Sequence, residues 1–142
     1  MTIDFKSEFG VDAKREIEGA WVNYSGETSF LIARARNKNF SRMFARKWAK
    51  NKTLLDGVKP TDTDAKLDVA DAKADEIMVS CYAETILLGW KGVSYDGKIL
   101  EYSTENAVTL LTDKEFRKYI EEQAADISNY KSAEAAADEK KL

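Results

Sequence analysis

Residues 83 to 111 read AETILLGWKGVSYDGKILEYSTENAVTLL, an apolar run, a polar loop with a turn in it, and the start of a second helix-like run. Ala83 to Leu88 is too apolar to face water. Gly89 and Gly92 stand where a helix is expected to stop, because glycine enters the left-handed region cheaply. Trp90 lies between those two stops. Tyr95-Asp96-Gly97-Lys98 contains the Asp-Gly pair of a tight turn, Ile99 to Tyr102 is short and extended, and Ser103 or Thr104 can cap the second helix. The stretch predicts two helices clamped around a tryptophan-bearing loop.

Upstream, Thr61-Asp62-Thr63-Asp64 opens a helix with acidic residues suited to the positive end of its dipole. Leu67, Ala70, Ala74, Ile77, Met78, Cys81 and Leu88 continue it at helical spacing, so the helix is expected over about 62–90. Its first half carries Asp68, Asp71, Asp75 and Glu76. Before it, Asn37 or Asn39 can cap a helix over about 39–56 in which Phe40, Met43, Phe44, Trp48 and Leu55 share a face, ended by Gly57 and Pro60. Arg42, Arg46 and Lys50 form a basic ridge on this helix, and the acidic half of the next helix is its natural electrostatic partner.

Further upstream, the alternation in Lys14 to Tyr24 and in Thr28 to Ala35, separated by Ser25-Gly26-Glu27, predicts a β-hairpin over about 14–36. Such a hairpin is marginal alone, and its apolar face must lie on helices or pair with another chain. The first ten residues show no clear period and read as strand or coil, with Phe5 and Phe9 expected to dock. Downstream, Thr112-Asp113 breaks or caps a helical region expected over about 104–131. From residue 132 to 142 the composition falls to Ala, Glu, Asp and Lys, with little to bury, and this polar tail is expected to fray. The fold class is α+β: one mostly helical domain, residues 1–131, with an N-terminal β-hairpin.

At 142 residues the chain can bury about 70% of its unfolded surface without staples. It has no apolar run near the length of a membrane span and no signal-peptide pattern in MTIDFKSEFG, so a cytoplasmic location is the default expectation. There is no histidine, which removes the commonest general base and metal ligand. The single cysteine, Cys81, falls on an apolar helical face and reads as a buried thiol. No cofactor and no metal are expected. Asp62, Asp64 and Asp68 fail the calcium-loop pattern, since Leu67 and Lys73 stand where it wants Gly and Glu. The glycines around Trp90 match neither phosphate-loop spacing. No catalytic residue is assigned.

The net charge of −3 conceals a split: Thr28 to Leu55 carries eight basic residues and no acidic one, leaving −11 for the rest. The basic segment with its interleaved aromatics resembles a nucleic-acid surface. An acidic chain repels phosphate, however, and pairing within the chain or with a protein partner is preferred. Trp90 has two readings, a core residue behind a helix terminator or, with Tyr95, an exposed anchor for a partner.

The segments EGAWVNY (18 to 24), FLIARARNKNF (30 to 40), ILLGWKGVSYDGKILEYS (86 to 103) and ENAVTLL, in that order and spacing, resemble the tail assembly chaperones of long-tailed bacteriophages. The resemblance covers about Glu18 to Tyr130. It implies a mostly helical α+β protein that self-associates, binds the tape measure protein and keeps it soluble while tail-tube subunits assemble, in the cytoplasm of an infected bacterium. It also implies a longer form made by frameshifting, for which Lys140-Lys141 marks a possible site, and through which the tail-tube protein would be recruited. It assigns no residue-level site. Trp90, Tyr95, Arg42, Arg46 and Lys50 are partner-binding candidates on the physical reading alone. A structural tail or head-tail connector subunit and a small nucleic-acid-binding regulator are the alternatives.

Overall fold

The computed structural model describes residues 2–133 and 135. Its centre is a three-stranded antiparallel sheet of β1 (Ala20–Ser25), β2 (Thr28–Ile32) and β3 (Leu87–Lys91), with β2 in the middle. The β1–β2 hairpin matches the expectation. The third strand does not, because the helix expected to run to about residue 90 stops early: α5 spans Asp64–Thr85. Thr85 turns its hydroxyl onto the Cys81 carbonyl at 2.6 Å, and the chain then extends along β2. A short apolar run fits a helix and a buried strand equally well, and a two-stranded hairpin gains its missing partner from it. Trp90 is consequently a strand residue opposite Phe30, and Gly89 lies in mid-strand opposite Leu31 instead of ending a helix.

The N-terminal part of the expected hairpin is also helical. α2 (Ala13–Glu18) is capped by Asp12, whose carboxylate accepts from the Lys14 and Arg15 amides. The helix-forming run Ala-Lys-Arg-Glu outweighs the apparent alternation. Gly19, at φ +96°, then turns the chain into β1. The first residues contain a short helix, α1 (Phe5–Phe9), capped by Asp4. Phe5 and Phe9 do not dock: their rings lie 5.3 Å apart and both are exposed.

Asn37 caps α3 (Lys38–Lys50) through its side-chain oxygen and the Phe40 amide at 3.0 Å. The single helix expected over 39–56 breaks at Asn51, whose side-chain amide donates to the Lys47 carbonyl, and α4 (Lys52–Asp56) follows. The Asp-Gly turn is as expected. Asp96 and Gly97 both have positive φ and join β4 (Ser94–Tyr95) to β5 (Lys98–Ile99), the two-residue hairpin geometry such a pair favours. Ser103 caps α6 (Thr104–Thr112) and Asp113 caps α7 (Lys114–Ala125). A 3-10 turn, Ile127–Tyr130, replaces the expected end of the last helix.

The core lies between the sheet and helices α5, α6 and α7. Phe30 and Ile32 of β2 meet Ala83 and Ile86 at the end of α5, with Leu111 and Ile120 behind them. Trp90 is buried there too. Its indole N–H donates to the Leu100 carbonyl at 2.7 Å and its ring meets Tyr102 edge-on at 5.0 Å. Tyr130 is fully buried, and its hydroxyl donates to the Ile32 carbonyl at 3.0 Å. Beside it the two ends of the domain clasp: the Asp12 amide donates to the Tyr130 carbonyl and the Ser132 amide to the Gly10 carbonyl. Of the polar tail, residues 134 and 136–142, including Lys140-Lys141, lie outside the described residues. Ala133 and Ala135 are helical, Ala135 is buried, and its amide donates to the Ser132 hydroxyl.

Two neighbouring glycines should respond differently to a methyl group. Gly92 has φ +66°, and an added Cβ would meet the Glu27 carbonyl oxygen at 2.5 Å; Gly92→Ala is expected to cost about 1–3 kcal/mol or more in urea denaturation. At Gly89 the nearest atom, in Leu31, would be 3.5 Å away, so Gly89→Ala should change stability by less than about 1 kcal/mol. Burial also raises the pKa of Tyr82 to about 12, pushes Tyr130 up from the ordinary phenol value and raises the Cys81 thiol. All three bind their protons more tightly when folded. Their contribution is therefore complete below the unfolded values, ~8.5 for the thiol and ~10 for the phenols, and is lost as pH rises through the folded ones. Denaturation midpoints should fall progressively above about pH 9, and phenolate absorbance from Tyr82 and Tyr130 should appear only with unfolding. A midpoint flat to pH 12 would contradict this.

Candidate functional site

The residues singled out as partner-binding candidates fall in three places. Trp90 is only 7% exposed, its polar atom already satisfied by Leu100. Tyr95, five residues on, is 53% exposed on the β4–β5 hairpin. They do not form a common anchor. Arg42, Arg46 and Lys50 line the solvent side of α3, where they join neither Trp90 nor Tyr95.

The expected pairing of this ridge with the acidic half of α5 is absent. Among the described residues no ion pair joins α3 to α5; Asp75 is 3.6 Å from Arg117 and Glu76 is 3.2 Å from Lys73. The physical reason is that α3 rests on α5 through aromatic rings. Phe40 meets Tyr82 edge-on at 5.4 Å, and Phe40, Phe44 and Trp48 stack in a row at 5.7 and 5.4 Å. That contact uses one face of α3 and turns Arg42 and Arg46 outward, while Lys50 lines a cleft with Lys73 and Glu76 of α5 without forming an ion pair there.

Tyr95 instead forms part of an open groove of about 670 Å³ where the far end of the hairpin meets the α6–α7 corner. Its wall is an aromatic cluster. Tyr24 lies edge-on to Tyr119 at 5.2 Å, and Phe30 packs on Phe116 at 5.3 Å. Burial, and next the neighbouring Tyr24, raise the Tyr119 phenol above its ordinary value. The Thr28 hydroxyl donates to the Gly92 carbonyl at 2.7 Å and ties the hairpin to the β4 side. The charged groups on the lining are Asp113 and Glu115, with no lysine or arginine among the described residues. Asp113 is occupied in capping α7 through the Glu115 and Phe116 amides.

The arrangement presents apolar rings and a polar rim, which suits the capture of apolar side chains from a partner. Among the described residues no three His, Cys, Asp or Glu side chains are grouped to hold a metal ion, and no helix is long and apolar enough to cross a membrane. Tyr24, Phe30, Phe116 and Tyr119 were readable in sequence only as members of separate apolar faces. Their convergence joins residues about ninety positions apart, for which a single sequence gives no local signal.

A family model described as YdaY prophage protein matches residues 35–141, about three quarters of the chain. The chain belongs to the YdaY prophage protein family. It is thus a phage-derived protein, and the family's description carries no statement about tail assembly. The YdaY match takes in α3 to the 3-10 turn, hence β3, Tyr95, Phe116 and Tyr119, while Tyr24 and Phe30 precede it. No curated protein and no solved structure matches the chain.

Core and rim roles separate by mutation. Trp90→Ala should destabilise the fold by about 3–5 kcal/mol, read by denaturant titration. Tyr95→Ala should stay within about 0.5 kcal/mol of the parent, which makes it a clean variant for binding work.

Proposed function

We propose that this phage protein is a tail assembly chaperone, a non-enzymatic binder that keeps the tape measure protein soluble and helps tail-tube subunits gather on it. The observation carrying this reading is the aromatic groove, open to solvent and about 670 Å³ in volume. Amphipathic helices are held by inserting apolar residues from one face into such a groove, and a tape measure protein is a long helical chain with many such faces. The family match makes the chain phage-derived, and the order of the four sequence segments resembles that of tail assembly chaperones. In this reading the chain acts in the cytoplasm of the infected host, does not stay in the virion, and reaches the tail-tube protein through a longer frameshifted form.

Co-expression with the tape measure protein of the same phage tests it. The soluble fraction of that protein should rise several-fold with the parent chain. It should fall back toward the level without chaperone for a Tyr24→Ala, Tyr95→Ala double variant that keeps its circular dichroism spectrum. No gain in solubility with the folded parent chain would sink the proposal. Recovery of the chain from purified particles would favour a structural subunit instead.

A further inference from the structure

The basic face of α3 has a regular geometry and no ion pair among the described residues, although Lys50 at its end shares a cleft with Lys73 and Glu76 of α5. Lys38, Arg42, Arg46 and Lys50 repeat at i, i+4, i+8 and i+12, are exposed, and make no ion pair among the described residues. At about 1.5 Å per residue they form a stripe ~18 Å long. No α3 residue is fully buried, so the helix lies on the surface with this stripe outward. The same molecule carries the complement. Asp64, Asp68, Asp71 and Asp75 repeat at i, i+4, i+7 and i+11 on the exposed side of α5, a stripe ~16 Å long. Of these four, only Asp75 has a cationic partner among the described residues, Arg117.

We infer that the occupant of the α3 stripe is the α5 stripe of a second copy of this chain. Three observations lead there. The two stripes match in length and in charge number, and each lies along a single helix, so their charges can meet side by side. Within one molecule α3 rests on α5 through Phe40 and Tyr82, and among the described residues no ion pair joins the two stripes. The net charge of −3, with an acidic stripe on the adjoining helix, disfavours a polyanion such as nucleic acid on the same surface. α3 of one copy lies on α5 of another: a two-fold, isologous pair makes this contact twice, and a head-to-tail, heterologous array makes it once per joint; either form requires both signs. The chaperone reading implies self-association without naming a surface; the charge geometry alone points to this one, and the test uses the purified chain without the tape measure protein.

Sedimentation velocity of the purified chain at about 0.1 M and about 1 M sodium chloride, where the screening length falls from ~10 Å to ~3 Å, is the test. Association at low salt that dissociates at high salt is expected. Arg42→Glu with Arg46→Glu should be monomeric at low salt, as should Asp68→Lys with Asp71→Lys, each with the parent's circular dichroism and thermal midpoint. Mixing the two variants should restore association, because each then offers the sign the other needs. A parent chain monomeric at low salt would overturn the inference. So would association indifferent to the reversals, failure of the folded variants to combine, or salt-sensitive DNA binding lost in Arg42→Glu.

Discussion

The pairing of β2 with β3, with Phe30 opposite Trp90, is the constraint on which the other elements depend. β1 and β2 form a local hairpin whose inner face would be wet without further cover. β3 supplies the third strand and brings α5 with it, because Ile86 and Leu87, both fully buried, join the helix to the strand without a loop. Trp90 then fixes the next segment. Its indole holds the Leu100 carbonyl, and Tyr102, which meets it edge-on, donates its hydroxyl to the Leu87 carbonyl. These bonds place Ser103 and hence the start of α6. One strand pairing thus orients helices on both sides of it in sequence.

The groove is a by-product of that geometry. The β4–β5 hairpin projects from the junction between β3 and α6, and the α6–α7 corner turns back toward the tip of the first hairpin. The rings between them come from three separate segments, so the groove's shape depends on the fold while its chemistry stays that of a few tyrosines and phenylalanines. Charge is handled in the opposite way. The cations of α3 all come from one helix with a capped start, so their spacing follows from helical geometry, while the helix itself is held by its aromatic contact with α5.

Local chemistry was legible in the sequence where a few adjacent residues decide the outcome. Of two candidate caps in each case, Asn37 rather than Asn39 and Ser103 rather than Thr104 serves; Asp113 caps α7, Asp96-Gly97 makes the tight turn, and Cys81 is buried. Legibility failed where tertiary pairing decides. Leu87 to Trp90 continues an apolar helical series in sequence, and only the presence of β2 turns it into strand. Lys14 to Gly19 imitates alternation because six residues are too few to tell two periods apart, although Asp12 was available as a cap. The charge split was plain from composition, but its consequence was not. The direction in which α3 faces is set by Phe40 against Tyr82, a contact between residues forty-two positions apart.

The clasp between the ends of the domain bears on how the protein is made. Gly10 and Asp12 take their backbone partners from Ser132 and Tyr130, and Tyr130 in turn holds the carbonyl of Ile32 in the central strand. A chain emerging from the ribosome presents its first segment long before the last is synthesised. Closing so large a loop precedes any reward from the contacts it permits. Native structure around β2 is therefore completed late in translation, and a polypeptide stopped before residue 130 leaves the first twelve residues without these backbone partners.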